Sequence, residues 1–505
     1  MVFIDGTVTN VALPILQQEL QATVVEVQWV VEAYALFLAA LILPGGSMGD
    51  HFGRRRMFVL GVAIFASASA LCGLAPDANT LILARAAQGV GGALLTPGSL
   101  AIISASFEGE RRGKAIGTWS GFTAITTALG PVLGGWLVEH ASWRWVFFLN
   151  IPLAVAVVAV ALWRVPESKD DEARGLDWLG AALVTVGLGG VVFGLIESAN
   201  LGFGAPAVFG ALVVGVVALA AFLWVEAHVP NPMMPLALFR SRTFTGANVL
   251  TFLLYGGLAG SLFFVPFNLI QVQGYTPTEA GAALLPFIVI MFVLSRWTGG
   301  LVARVGAKLP LTVGPAVVAI SSLLYARVGI GGAYWESFFP AVAVQGIGMA
   351  ITVAPLTTVV MSSVSARHSG LASGVNNAVS RTAGLLAIAV LGIVVLSTFN
   401  AELDRQLAPI PLSTEARTAL DAQRIKLAGA EAPADLSADV RQEVERAIDL
   451  AFLAGFRWVM FIAGVLSLLS ALIAWITIES RPVAAESAPE RSGRGASSGQ
   501  AAEMV

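Results

Sequence analysis

The chain has 505 residues, of which 56% are hydrophobic and 12% charged, against about 25% charged in a soluble domain. With a mean hydropathy of +0.80 and a net charge of -3, the composition excludes a soluble enzyme, a nucleic-acid binder and a disordered scaffold. The single cysteine, Cys72, excludes an internal disulfide and a cysteine-based metal site.

Apolar runs long enough to cross a bilayer, about 20 residues each, recur along the chain. They fall near 2–16, 27–47, 57–75, 80–103, 114–138, 145–163, 177–197, 206–226, 244–270, 279–303, 310–327, 337–362, 370–398 and 457–478. The predicted fold class is all-α and integral to the membrane, with fourteen transmembrane helices. The first run is short, about 22 Å of helix against a core of about 30 Å. We therefore expect a true start upstream that adds about ten apolar residues to this span. The segment does not read as a signal peptide, because it lacks a basic n-region and a small-residue cleavage site.

Basic residues set the orientation. One set of loops holds Arg54, Arg55, Arg56, Arg111, Arg112, Lys114, Arg164, Lys169, Arg174, Arg240, Arg242, Arg304, Lys308 and Arg367, and the C-terminal tail adds Arg481, Arg491 and Arg494. The opposite short loops hold Arg144 and Arg327. Both termini are therefore expected in the cytoplasm and the segment 399–456 outside. Within it, 437–456 has helical periodicity and is expected to run into the last span. The tail 481–505, rich in Ala, Ser, Gly and Glu, reads as disordered.

The chain also repeats itself. QGVGGALLTP (Gln88–Pro97) is echoed by QGIGMAITVAP (Gln345–Pro355), and GSMGDHFGRRR (Gly46–Arg56) faintly by GGLVARVGAK (Gly299–Lys308). Residues 1–163 and 244–480 thus read as two six-helix halves in the same orientation, with helices seven and eight (164–243) inserted between them. Parallel halves with a site at their interface are the plan of rocking-bundle transporters.

Four motifs resemble those of the major facilitator superfamily, in its fourteen-helix drug:proton antiporter branch. GSMGDHFGRRR is similar to the superfamily's loop motif. Its Gly46 and Gly53 allow a tight turn and close helix approach, Asp50 can face a helix N-terminus or an arginine, and Arg54 can pair across the interface. The resemblance implies a network that latches the outward-facing state. LILARAAQGVGGA (Leu81–Ala93) places Arg85 in an apolar helix, where an arginine must be paired, hydrated or snorkelling. The resemblance implies a role in proton coupling. Gly117, Thr126 and ALGPVLGG (Ala128–Gly135), with Gly130, Pro131, Gly134 and Gly135, resemble the antiporter motif of helix five, which marks exporters. FIDGTVTNVALP (Phe3–Pro14) resembles the first-helix pattern of the branch and presents Asp5 as the proton-site candidate, with Thr7 and Asn10 as polar partners.

Three further features bear on function. Glu32, in span two, is placed to share a cavity with Asp5. Arg381 lies near the middle of span thirteen, a helix with no acidic residue, beside Asn376, Asn377 and Ser380. It either pairs with a carboxylate elsewhere or meets an anionic group. Trp119, Phe122, Tyr255, Phe263, Phe264 and Phe267 are candidates for a cavity lining that suits flat or cationic amphiphiles. Glu197 and Glu226 end their spans and read as interfacial, and Arg296 as snorkelling.

GERRGKA (Gly109–Ala115) lacks the spacing and the Ser/Thr of a phosphate loop. With no nucleotide module, no cofactor is expected and the energy comes from an ion gradient, protons by the resemblance. Four histidines and no catalytic constellation argue against an enzyme. The implied function is proton-coupled efflux of small amphiphilic molecules across a bacterial cytoplasmic membrane. The alternatives are a dedicated exporter of one endogenous metabolite (antibiotic, lipid precursor or sugar) and a receptor-like protein that moves nothing. The implied partners are the substrate, protons and the lipid bilayer, without nucleic acid. In a two-membrane cell, a periplasmic adaptor and an outer-membrane channel are further partners that no residue here reports.

Overall fold

The protein is described from a computed structural model that covers residues 1–107, 109–169, 176–298, 301–364 and 369–479, apart from the side chains at 109–110, 112–113, 116–117, 120–121, 124, 128, 295–296, 301, 303 and 369. The expected tail 481–505, Arg174 and Arg367, and the side chain of Arg296, lie outside the described residues.

The first six long helices are α1 (Val2–Glu19), α2 (Val24–Phe52), α3 (Arg54–Leu74), α4 (Ala78–Ser106), α5 (Gly109–His140) and α6 (Trp145–Arg164). A helical pair follows, α7 (Trp178–Leu201) and α8 (Pro206–His228). The last six are α9 (Arg242–Phe267), α10 (Pro277–Ala283, resumed as Leu285–Thr298), α11 (Lys308–Ala326), α12 (Phe339–Ser362), α13 (Ser369–Leu407) and α14 (Ala438–Thr477). Among the described residues, 12 helices are long and apolar enough to cross a membrane. The two left out by that measure are α1 and α5. The first has only 18 residues and carries Asp5 and a polar QQE end, and the second includes side chains outside the described residues.

Local chemistry sets the boundaries. Thr23 caps α2 in a reciprocal capping box with Glu26, and Asp77 caps α4 through the Thr80 amide, which holds the Asp77 carboxyl below its usual range. Spans six and ten, expected as continuous helices, are interrupted at Leu149 and Leu284, shortly before Pro152 and Pro286. A proline has no N–H to give, and its ring obstructs the carbonyl one turn back. The segment 399–456 is more helical than expected. Helix α13 runs on to Leu407, Thr414–Asp421 is a short helix, and α14 starts at Ala438. Arg424 ties this segment together through Asp404 and Asp421.

Helices α1–α6 pack among themselves, as do α9–α14, while α7 and α8 pack on each other and α7 reaches α2 and α13. The sequence repeat has a counterpart in this packing. A Cβ on Gly91 would lie 2.5 Å from the Phe65 backbone nitrogen, and one on Gly61 3.0 Å from the Gly91 carbonyl oxygen. In the second half, a Cβ on Gly348 would lie 2.8 Å from the Val318 nitrogen, and one on Gly314 2.9 Å from the Gly348 oxygen. The helix pairs α3/α4 and α11/α12 thus cross backbone to backbone at matching glycines, as small-residue membrane interfaces do.

Gly91→Val and Gly348→Val should each lower the melting temperature of the purified protein in detergent, through an overpacking cost of about 1–3 kcal/mol. Gly210→Val, where an added Cβ meets nothing within 4 Å, should leave it unchanged. Equal melting temperatures for the three variants would refute the crossing.

Candidate functional site

Helix α1 carries Asp5 into the interior of the first half, where its side chain is fully buried. The Asp5 carboxylate accepts from Arg85 Nη1 at 2.6 Å, from Gln88 Nε2 at 2.8 Å and from Asn150 Nδ2 at 3.0 Å. Arg85, 1% exposed, also donates from Nη1 to Gln88 Oε1 at 2.7 Å and from Nε to the Val30 carbonyl at 3.0 Å. Its guanidinium lies 4.2 Å from the Tyr34 ring centroid, in cation–π contact. Ser69 accepts from Gln88 and Asn150 and donates to the Phe147 carbonyl. One polar centre therefore joins α1, α2, α3, α4 and α6.

Arg85 is thus enclosed and paired, not snorkelling. The partners expected for Asp5 differ as well. Thr7 donates to the carbonyls of Phe3 and Ile4, and Asn10 lines a cavity elsewhere. Glu32 is fully buried, but neither of its oxygens has a hydrogen-bond partner. It does not join Asp5. Sequence reasoning gave no role to Gln88, Ser69 and Asn150. Gln88 follows Arg85 by three positions, so it shares a helix face with it, and Asn150 opens an apolar run. Those were the available signals.

The basic loop after α2 is held within its own half. Arg54 pairs with Asp50 at 2.7 Å instead of reaching across the interface. Glu167 accepts from the Arg55 and Arg56 amides and lies near both guanidinium groups. Gly53 has φ +111°, and a Cβ there would stand 2.7 Å from Glu167, so this turn needs glycine. The close helix approach expected at Gly46 falls one residue earlier. A Cβ on Gly45 would collide with the Ala93 carbonyl, whereas Gly46 meets Pro97 at an ordinary 3.4 Å.

The helix-five glycines lie at two interfaces. A Cβ on Gly130 would collide with Thr7, and one on Gly134 would crowd Val8, both on α1. Across the halves, a Cβ on Gly135 would collide with the Pro277 carbonyl, and one on Gly281 with the Pro131 carbonyl. Gly117 lies in the same helix, with its side-chain surroundings outside the described residues. Hydrogen bonds between the halves include Gln28 Nε2 to the Ile388 carbonyl, Gln17 to the Lys426 carbonyl, Lys426 to Gln21, Gln271 to Gln17, and the Thr278 amide to Glu139. These lie toward the face opposite the basic loops.

A cavity of about 250 Å³ lies between the halves, lined by Asn10 and Val31 from one side and by Tyr255, Phe263, Ser380 and Ile388 from the other. Of the aromatic candidates, Tyr255 and Phe263 line it. Phe264 and Phe267 pack against Phe263, and Phe122 is 66% exposed. Arg381 follows Ser380 and makes no ion pair among the described residues, and its Nε has no hydrogen-bond partner. Asn376 donates to Asn248 and Thr251 within the second half. Glu197 accepts from Trp29 and Glu226 from the Met234 amide.

The family model described as Major Facilitator Superfamily matches residues 1–388. "Multidrug resistance protein Stp" of Mycobacterium tuberculosis is 35% identical over 81% of this chain and 76% of its own. The "Tetracenomycin C resistance and export protein" of Streptomyces glaucescens is 33% identical over 97% of this chain and 91% of its own. The "Methylenomycin A resistance protein" of Bacillus subtilis is 31% identical over 78% and 85%. Among solved structures, a bacterial homologue of the human lysosomal transporter Spinster, in an inward-facing and unoccupied conformation, superposes with a TM-score of 0.61 at 18% identity, over 95% of each chain. That likeness concerns the fold alone.

Asp5→Asn should destabilise the purified protein by about 3–5 kcal/mol, because it leaves the Arg85 charge buried without a counter-charge. The double variant Asp5→Asn/Arg85→Gln should recover much of that loss in a double-mutant cycle of unfolding. Additive losses would mean that the two residues do not act as a pair.

Proposed function

Because the chain belongs to the major facilitator superfamily, we propose that it exports small amphiphilic molecules across a bacterial cytoplasmic membrane in exchange for protons. Its relatives and fold neighbours are transporters, not enzymes, and the relatives named above are resistance and export proteins. On this reading α1–α14 are fourteen spans, in two six-helix halves plus the inserted α7 and α8, with both termini in the cytoplasm.

The observation that carries the proposal is the placement of the buried Asp5–Arg85 centre. Asp5 lies on α1, two and three residues before Thr7 and Val8, which bear on Gly130 and Gly134 of α5. The adjoining face of α5 bears on α10 through Gly135 and Pro131. Arg85 holds the Val30 carbonyl, next to the cavity residue Val31. A change of charge at Asp5 therefore reaches both the outer contact between the halves and the cavity wall through directly packed groups. Protonation of Asp5 removes the counter-charge of Arg85, loosens the centre and shifts α1 against α5. In the alternating cycle this couples proton entry from outside to the return of the empty carrier.

The conformation fits an inward-facing member of that cycle. The hydrogen bonds named above between the halves gather on the face proposed as external, with the apolar Leu43–Gly374 contact toward the other face, and Asp50 and Arg54 satisfy each other within the first half. In the outward-facing state the same residues become available to the opposite half and latch it. Glu32, buried without a donor, is a second protonation site that opening of the α2/α13 contact would hydrate. The unpaired Arg381 favours the narrower alternative, an exporter dedicated to one metabolite.

In an efflux-deficient host, the chain should lower ethidium accumulation several-fold, and a protonophore should abolish the effect. Asp5→Asn, expressed at the same level, should not lower it. Efflux that persists in Asp5→Asn would remove the proton role from Asp5, and efflux insensitive to the protonophore would remove proton coupling.

A further inference from the structure

The intramembrane charges among the described residues of α4 and α13 do not balance. Arg85 is neutralised by Asp5. Arg381, on α13, has no carboxylate within ion-pair distance among the described residues, and its Nε finds no acceptor. Helices α2 and α13 lie side by side, with Gln28 bonded to the Ile388 carbonyl near one end and Leu43 set against Gly374 near the other. Arg381 therefore falls between these two contacts, level with the middle of α2. Two polar groups on that stretch are also unsatisfied. They are the Tyr34 hydroxyl, within electrostatic range of Arg381, and the Glu32 carboxyl, which forms no ion pair with it.

A guanidinium inside a bilayer is expensive to keep and marks a functional site when no protein group neutralises it. Its donors form a planar fork that suits a carboxylate or another delocalised oxyanion. The neighbouring residue Ser380 lines the cavity, with Tyr255 and Phe263 as aromatic surface and Asn10 as a further polar group. A cation stacked on those rings would sit close to an uncompensated positive charge.

We infer that this cavity is a subsite for an amphipathic anion, whose acidic group meets Arg381 and the Tyr34 hydroxyl while its apolar body packs on Tyr255 and Phe263. The inference rests on the export reading and narrows the cargo to molecules with a carboxylate or a comparable oxyanion. It assigns Arg381, next to the cavity residue Ser380, to substrate recognition and leaves proton exchange to the Asp5 centre.

The test compares fusidate, an amphipathic carboxylate, with its methyl ester, by binding to the purified full-length protein. Wild type should bind the carboxylate at least about tenfold more tightly than the ester. Arg381→Gln should abolish that preference and leave ester binding unchanged, and Arg381→Lys should keep part of it. Equal binding of the two probes by wild type, binding of neither, or a preference that survives Arg381→Gln would overturn the inference. So would a loss of both probes in Arg381→Gln that is restored by adding Glu32→Gln, because Arg381 would then serve as an internal counter-ion. Ethidium efflux in cells reports separately on the export reading. If it persists while the carboxylate preference is absent, the subsite alone fails.

Discussion

A buried arginine needs a counter-charge, and that requirement organises the first half of the molecule. Moving either charge of the Asp5–Arg85 pair out of water is unfavourable by several kcal/mol. The pair is tolerable because Gln88, Asn150, Val30 and the Tyr34 ring supply the remaining contacts. Those partners come from three helices, α2, α4 and α6, so these helices and α1 are held in register by the same centre. The first half is in this sense a solid body with one electrostatic fastening at its middle. Chemistry that changes the charge of Asp5 acts on the fastening itself.

The glycine contacts divide into two kinds that serve different ends. Gly61, Gly91, Gly314 and Gly348 bring helices of the same half together backbone to backbone, where their matching positions make each half rigid. Gly135 and Gly281 bring backbones together across the halves. Close approach without interlocked side chains gives attraction through packing alone, and such a surface separates without breaking ion pairs. Several polar contacts across the halves, such as Gln28 on Ile388 and Gln271 on Gln17, use neutral amides, and where a charged group takes part, Glu139 or Lys426, its partner is neutral. Halves joined by a surface that carries no ion pair among the described residues suit the proposed alternating exposure of a central cavity.

Much of this was legible in the sequence, and the reasons are physical. Apolar runs and basic loops locate helices because the bilayer imposes one length and one sign of charge on each segment. The internal repeat was readable because QGVGG and QGIGM must form the same backbone crossing. The partners of Asp5 were not readable. Arg85, Gln88, Ser69 and Asn150 are distant along the chain, and only helix packing decides which polar residues meet. Proximity in sequence favoured Thr7 and Asn10 instead, but on α1 the former satisfies itself on its own helix and the latter faces the cavity. The local pairing of Arg54 was not readable for a related reason. Its partner Asp50 lies one turn away, and a sequence motif does not reveal which of two conformations the loop adopts.

The two halves descend from one pattern but no longer carry the same chemistry. Gln88 and Gln345 occupy corresponding places in the repeat. Gln88 works within the charged centre, with Cys72 approaching its oxygen at 3.8 Å. Gln345 instead faces Tyr325, whose hydroxyl approaches at 3.4 Å, and position 342, where the repeat would place an arginine, is the buried Val342. The second half has thus replaced the paired charges by neutral packing at the equivalent position. Among its described residues an intramembrane charge sits elsewhere, on Arg381, in the helix that packs against α2. A symmetric carrier with the same charged centre in each half would have two equivalent places to bind a proton and none left over to distinguish cargo. With the pair in one half alone that redundancy is absent, and on the proposed reading Arg381 serves recognition of the cargo while Asp5 serves the driving ion.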